Sequence, residues 1–273
     1  MPELPEVEAV RLELDPYFTG HRIDDVDVRR PDLRDPFPRR FRARMLGQTV
    51  EVFTRRAKYL LATLTSEETL VMHLGMSGWL NVSAPADLRR EIDKHDHVVF
   101  TMSSGAVIAF NDPRRFGMVT LLTPKQLATH PVLSTLGPEP LSDDFDAGAL
   151  ARACRGRKTP LKVALLDQGI VAGLGNIYAA EALHVAGLSP MRAAGTIATA
   201  DGEPRDSASR LATAIKQVLV RAIARQTSKR YRSSRFRVYD RESERCPRAG
   251  CGGTIRRRTQ GGRSTFYCPR CQR

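Results

Sequence analysis

Met1-Pro2-Glu3-Leu4-Pro5-Glu6-Val7-Glu8 opens the chain and starts a helix. Glu3, Glu6 and Glu8 are acidic groups in the first turns, where the positive end of a helix dipole favours them. Val7, Val10, Leu12 and Leu14 follow at roughly helical spacing. Pro2 stands directly behind the initiator, and a small residue there lets Met1 be removed. The mature amino terminus is then a secondary amine. An α-amino group titrates near about 7.7–8.0, and the positive helix end disfavours its protonated form. Part of Pro2 is therefore expected to be neutral at cellular pH. A neutral secondary amine attacks an aldehyde-level carbon to give an iminium, an electron sink for elimination. Glu3 beside it can carry protons in both directions. Taken alone, the octapeptide equally fits the plain start of a stable helix.

At 273 residues the chain has room for two domains and a small appendage. Hydrophobic residues make up 41%, and no apolar run approaches the ~20 residues that span a bilayer. No basic segment followed by an apolar one is visible at the start, so a signal peptide is not expected. A cytoplasmic, nucleoid-associated protein without membrane contact is the expectation. The net charge is +13 and it is not spread evenly. Residues 221–273 hold 16 Lys/Arg against three acids, while the first 220 residues balance. Fifteen of those 16 are Arg, interleaved with Tyr231, Phe236, Tyr239, Phe266 and Tyr267. A solvated basic tail would have this charge; the aromatic interleaving instead suits phosphate contacts on an ordered surface.

Hydropathy alternation then predicts strands. They fall at 22–28, 50–53, 59–64, 69–74, 97–102, 106–110 and 118–122, with Arg29–Arg42 as a proline- and arginine-rich loop or short edge elements. A helix followed by a run of antiparallel strands points to a sandwich or barrel. From Thr123 the period changes. Helices are predicted at 124–130, 143–154, 159–166, 177–186 and 207–225, the last with Leu211, Ile215, Val218, Leu219 and Ile223 on one face. Leu136-Gly137-Pro138-Glu139-Pro140 reads as an interdomain linker.

Four of the five cysteines close the chain as Cys246-x4-Cys251-x16-Cys268-x2-Cys271. Two knuckles of a β-hairpin can present four thiolates tetrahedrally to one structural Zn²⁺ with such spacing. Disulfides are the other use of such a set, and a reducing compartment disfavours them. Cys154 stands alone and reads as a small buried residue.

In combination these features resemble the Fpg/Nei family of DNA glycosylases, in its Fpg branch. The resemblance rests on Pro2–Glu8, Arg55-Arg56-Ala57-Lys58-Tyr59, His73-Leu74-Gly75-Met76-Ser77-Gly78, Asp112-Pro113-Arg114-Arg115-Phe116-Gly117, Gly173-Leu174-Gly175-Asn176-Ile177-Tyr178 and the terminal cysteines. It implies an α+β multidomain fold. A catalytic helix and antiparallel β-sandwich would occupy 1–130, an all-α helix-two-turn-helix DNA-binding domain 131–240, and a β-hairpin zinc finger 241–273. It also implies a bifunctional DNA glycosylase and AP lyase, working as a monomer on duplex DNA that carries an oxidised base or an abasic site. Pro2 would attack C1′ of the damaged nucleotide, with β- and δ-elimination from the Schiff base. Glu3 would serve sugar-side proton transfers with Glu6 in support, and Lys58 would hold a nearby phosphate. Extruding a nucleotide leaves a hole in the duplex, which Met76, Arg114 and Phe116 would fill, with Arg115 on the same loop. His73, His95, His97, Lys162, Asn176 and Arg263 would complete the DNA contacts. Without the resemblance, Met76 and Phe116 would read as core residues, Arg114 and Arg115 as a turn and Lys58 as a surface strand lysine; His95 and His97 could suggest a metal pair, but the phosphate-side reading is favoured.

Two departures from the family pattern stand out. The first knuckle is C-x4-C where the family usually has C-x2-C. The segment before the finger, Thr227 onward, lacks the long Gly- and Thr-rich lesion-capping loop of enzymes that favour 8-oxoguanine. Formamidopyrimidines, 8-oxoguanine and oxidised pyrimidines, the last as in the Nei branch, all stay open as substrates. A protein that binds damaged or abasic DNA without chemistry is the alternative of another class. An intact Pro2-Glu3 pair has no use in such a module.

Overall fold

The computed structural model describes residues 2–84, 92–227 and 236–273. The expected capping segment falls largely on 228–235 and so lies outside the described residues. The chain divides into two compact units, Met1–Pro2 with Glu6–Ser134, and Glu3–Pro5 with Thr135–Arg273.

The first unit is built on α1 (Leu4–Phe18) from Glu6 onward and on eight antiparallel strands. Pro5 lies in the first turn of α1, where its missing N–H would have had no helical partner. One sheet has the order β2-β3-β4-β8, from Val50–Arg56, Tyr59–Leu64, Thr69–His73 and Met118–Leu122. The other has the order β1-β6-β7-β5, from Ile23–Val28, Asp96–Met102, Val107–Asn111 and Trp79–Ser83. Alternation explains β3, in which Leu60, Ala62 and Leu64 are buried and the residues between them are not. Both sheets feed one core, and Phe18 at the end of α1 joins them. Its ring stacks on Phe53 of β2 at 4.8 Å and meets Phe100 of β6 edge-on at 6.1 Å. Burying such a ring contributes about 1.5–3 kcal/mol.

Three elements differ from the sequence reading. β2 runs on through Arg55 and Arg56, because Arg55 is half-buried in an ion pair with Glu8 at 2.8 Å. Trp79–Ser83 forms an edge strand whose mixed composition gave no clear alternation. Within the proline- and arginine-rich segment a short helix, α2 (Phe41–Met45), buries Phe41 and Met45 after a left-handed Arg40. A capped five-residue helix, α3 (Pro124–Ala128), closes the unit, with Thr123 and Gln126 forming a reciprocal capping box.

The second unit is helical and ends in a hairpin. Its helices are α4 (Ala147–Cys154), α5 (Leu161–Leu165), α6 (Asn176–Ala186) and α7 (Asp206–Thr227). Asp146 caps α4 by accepting from the Ala149 N–H at 2.6 Å. Leu4, Phe145, Leu174, Tyr178, Leu183, Leu211 and Ile215 share its core. Cys154 is fully buried there, and burial pushes its thiol up to about 11, so it stays protonated and inert. The finger has its own small core of Ala180, Val238, Ile255, Phe266 and the cysteines. β9 (Arg256–Gln260) and β10 (Arg263–Tyr267) pair antiparallel across Gly261-Gly262. Buried Glu181 of α6 accepts the N–H groups of Arg237, Val238 and Tyr239 at 2.8–3.0 Å, fixing the chain where it enters the finger.

Candidate active site

Glu3 is 1% exposed, and both of its oxygens are used at the start of α6. Oε1 accepts the Ile177 N–H at 2.9 Å and Oε2 accepts the Tyr178 N–H at 3.3 Å. An anion at a helix N-terminus is favoured by unpaired N–H groups and by the dipole together. Gly175 makes the approach possible, since a Cβ there would lie 2.2 Å from the Glu3 carboxyl carbon. The residue next to Pro2 is thus fixed in place; Pro2 itself is half-buried. Glu6 is half-buried in the first turn of α1.

Around the same helix end lie Lys162, Asn176 and Arg263. Lys162 is fully buried, and its ammonium donates to Asn176 Oδ1, to the Ser264 carbonyl at 3.0 Å and to Thr265 Oγ1 at 2.9 Å. Three donors meet three acceptors. Asn176 in turn donates to the Ser264 carbonyl at 3.1 Å. Arg263 is exposed at the first position of β10. Burial first, and then the Arg263 charge, pull Lys162 from its ordinary 10.5 down to about 8, with Glu3 acting in the opposite sense. Between pH 8 and 10.5 the unfolded chain therefore holds a proton that the folded one has released. Stability contributed at this site rises with pH across that window, and below it the penalty is constant. Replacing Lys162 by Met is expected to flatten that rise, a slope that urea unfolding from about pH 7.5 to 10 measures.

In the first unit Lys58 sits at the two-residue turn between β2 and β3, after Ala57 at a φ of 53°. Arg55 donates to the Ala57 carbonyl at 2.9 Å and so braces the turn. His73 lies alongside, its ring 4.7 Å from Tyr59 and its Nδ1 accepting the Gly75 N–H at 3.0 Å. Burial, then the charges of Lys58 and Arg34, hold His73 down at about 4. It is a neutral imidazole whose Nε2–H is available as a donor. Arg34, in the proline-rich loop, belongs to this cationic group. The sequence reading passed it over, since only its tertiary neighbours distinguish it from the other arginines of that loop.

Two loops carry the remaining candidates. Asp112 is fully buried and organises both. Its carboxylate accepts Ser77 Oγ at 2.7 Å, the Arg114 N–H at 3.2 Å and the Gly117 N–H at 2.7 Å. His97 is 2% exposed, with Nε2 directed to the Asp112 carbonyl at 2.8 Å, so its ring supports the loop from inside. His95 is half-buried, and its carbonyl accepts the Asp112 N–H at 3.0 Å. Met76 and Phe116 are 45% and 47% exposed, large apolar groups held out toward solvent. The Arg114 guanidinium lies 4.8 Å from the centre of the Phe116 ring, and Arg115 is exposed at a φ of 60°. Gly75 brings the two loops into contact, with a φ of 60° and a Cβ position 2.5 Å from the Phe116 carbonyl carbon. Gly75→Ala is expected to part the loops and destabilise this unit by about 1–3 kcal/mol, read from urea unfolding.

Cys246, Cys251, Cys268 and Cys271 place their sulfurs within 4.8 Å of one another. Cys246 and Cys271 are 3.7 Å apart and Cys251 and Cys268 3.6 Å. A tetrahedron with Zn–S bonds of about 2.3 Å has edges of about 3.8 Å, whereas disulfide sulfurs lie about 2.05 Å apart. The donor set therefore fits one structural Zn²⁺, and the wider first knuckle does not disturb it. Four thiolates fill the shell and leave no open position.

Comparison with known proteins matches this architecture along the chain. Residues 1–119 match the formamidopyrimidine-DNA glycosylase N-terminal domain, 136–233 the H2TH domain of the same enzymes, and 243–273 the zinc finger found in FPG and IleRS. A protein of Rhodopseudomonas palustris (strain BisA53) named formamidopyrimidine-DNA glycosylase is 54% identical over 293 residues, covering 100% of each chain. The fold is similar to that of the Lactococcus lactis enzyme, solved bound non-covalently to DNA containing an AP site, with a TM-score of 0.86 at 30% identity over 100% of both chains. A complex of the Lactococcus lactis enzyme with DNA containing FAPY-dG gives a TM-score of 0.85 at 30% identity, covering 99% of this chain and 100% of that one. With its sandwich, its helical unit and its four-cysteine finger each matched in order, the chain belongs to the formamidopyrimidine-DNA glycosylase family.

Proposed function

We propose that this chain removes oxidised bases, formamidopyrimidines first among them, from duplex DNA and then cuts the strand at the abasic site. Supporting this are the name of its half-identical relative and the abasic and FAPY-dG complexes of the Lactococcus lactis enzyme. The observation that carries the reading is the Glu3 carboxylate fixed at the start of α6, on the residue next in sequence to Pro2, whose nitrogen becomes a secondary amine once Met1 is removed.

The Pro2 nitrogen forms a bond to C1′ as the bond to the damaged base breaks, and the base leaves with a proton. Loss of the amine proton and opening of the sugar ring give an iminium between Pro2 and C1′. That electron sink acidifies C2′, and removal of a proton there expels the 3′-phosphate. A second elimination expels the 5′-phosphate. Glu3 is the group adjacent to the amine that carries protons to and from the sugar. Lys58 and the neutral His73 hold phosphate oxygens by charge and by N–H donation. Met76, Arg114 and Phe116 enter the space vacated by the extruded nucleotide, where unstacking costs a few kcal/mol. Asn176 and Arg263 take phosphates beside the lesion, with Lys162 holding the Asn176 side chain and the Ser264 carbonyl next in sequence to Arg263. Zinc shapes the hairpin that carries Arg263. The enzyme acts as a single copy on nucleoid DNA in the cytoplasm; no described helix is long and apolar enough to cross a membrane.

Duplexes with one formamidopyrimidine, 8-oxoguanine or thymine glycol test the proposal. A one-nucleotide gap with phosphate on both ends is expected at the formamidopyrimidine. Tight binding to every duplex with no strand cut would overturn the enzyme reading and leave a damage-binding protein.

A further inference from the structure

Helix α6 grips the finger at both of its ends. At its start, Asn176 and Lys162 hold the Ser264 carbonyl of the hairpin. At its end the contact is with the metal knuckle itself. His184 is fully buried and points Nε2 at Cys246 Sγ, 3.3 Å away. Arg248, inside the same knuckle, donates to the His184 carbonyl and to that of Val185 at 3.2 Å. Arg210 of α7 takes the next carbonyl, Ala186, at 3.0 Å. Carbonyls of a last turn lack the i+4 donors of a helix interior, although that of His184 also accepts the Gly187 N–H at 3.1 Å, and guanidinium groups there also meet the negative end of the dipole.

The surroundings of the ring decide which nitrogen carries its proton. Nδ1 has no partner among the described residues. A proton on Nδ1 would leave a buried donor unpaired and turn the Nε2 lone pair toward the sulfur lone pairs. With the proton on Nε2, the N–H points into the sulfur and only an acceptor is left over. Four thiolates around Zn²⁺ carry a net charge of about −2 into a buried site, and an N–H donor to one of them spreads that charge. We propose that His184 supports the zinc centre from outside its ligand shell, donating Nε2–H to the Cys246 thiolate and so tying metal retention to the last turn of α6. The four-residue loop of the wide knuckle contributes the second tie through Arg248. The inference rests on the zinc assignment and is independent of the glycosylase chemistry.

Two measurements on the full chain test it. In wild-type protein exchanged to NMR-active cadmium, a correlation spectrum is expected to show coupling between the metal and the His184 ring N–H proton, through the hydrogen bond. His184→Phe keeps a ring but has no donor, and should release zinc to a chelating dye about tenfold faster or more. His184→Gln keeps an N–H donor and should restore slow release. An uncoupled ring proton in the wild type overturns the proposal, as does a His184→Phe chain that holds zinc as long as the wild type. The cadmium spectrum decides by itself should the Phe variant not fold.

Discussion

Glu3→Gln is expected to lower the rate of base release by about 10²–10⁴-fold, the range for loss of a positioned acid–base group. The substitution keeps the shape of the side chain and removes its ability to exchange a proton. Its effect on folding should be more modest. A carboxamide oxygen can still accept one of the two α6 N–H groups, but its NH₂ then faces the other. That mismatch is worth about 1–3 kcal/mol. Single-turnover release of a formamidopyrimidine base measures the first effect and urea unfolding the second. Wild-type turnover in this variant would reduce Glu3 to a cap on the N-terminus of α6, where its two hydrogen bonds already place it.

Removal of zinc should be as severe, for a different reason. The finger's own core is a handful of residues, four of them the metal ligands. Structural zinc in such modules contributes folding free energy of about 10–16 kcal/mol at neutral pH. Chelation, or Cys268→Ser at a fully buried ligand, is expected to unfold residues 243–273. Arg263 then loses its position, and Lys162 and Asn176 lose the Ser264 carbonyl they share. Affinity for an abasic duplex should fall by about 10²-fold or more, and the salt dependence of binding should become shallower as phosphate contacts are lost. Undiminished affinity in the metal-free chain, measured by fluorescence anisotropy over a salt series, would contradict this role for the finger.

Much of this was legible in the sequence, for physical reasons. Strands such as β3 alternate because one face meets the core, and the cysteine spacing was readable because thiolate ligation constrains sequence separation directly. What escaped depends on partners far along the chain. Glu3 was legible as an acid beside an amine, but its place on α6 comes from residues 174 and 175 positions away. The half-buried arginine that extends β2 takes its ion-pair partner from Glu8, and the hub at Asp112 draws in Ser77, 35 residues earlier. β5 escaped because an edge strand needs little apolar alternation, and α2 because five residues carry too little periodicity. The family resemblance put His97 and Lys162 among the expected DNA contacts; that both are buried and bond to neighbouring backbone and side chains follows from packing alone.

The claim on which the account depends most is the nucleophilic amine at Pro2, and borohydride trapping addresses it directly. The purified chain with Met1 removed is mixed with a duplex containing one abasic site and sodium borohydride. A covalent protein–DNA species is expected, with mass spectrometry locating the reduced bond on the Pro2 nitrogen. The same chain with a retained N-terminal tag should give none. A wild-type chain that binds the duplex tightly and yields no trapped species, or one trapped through a lysine with Pro2 unmodified, would contradict the account.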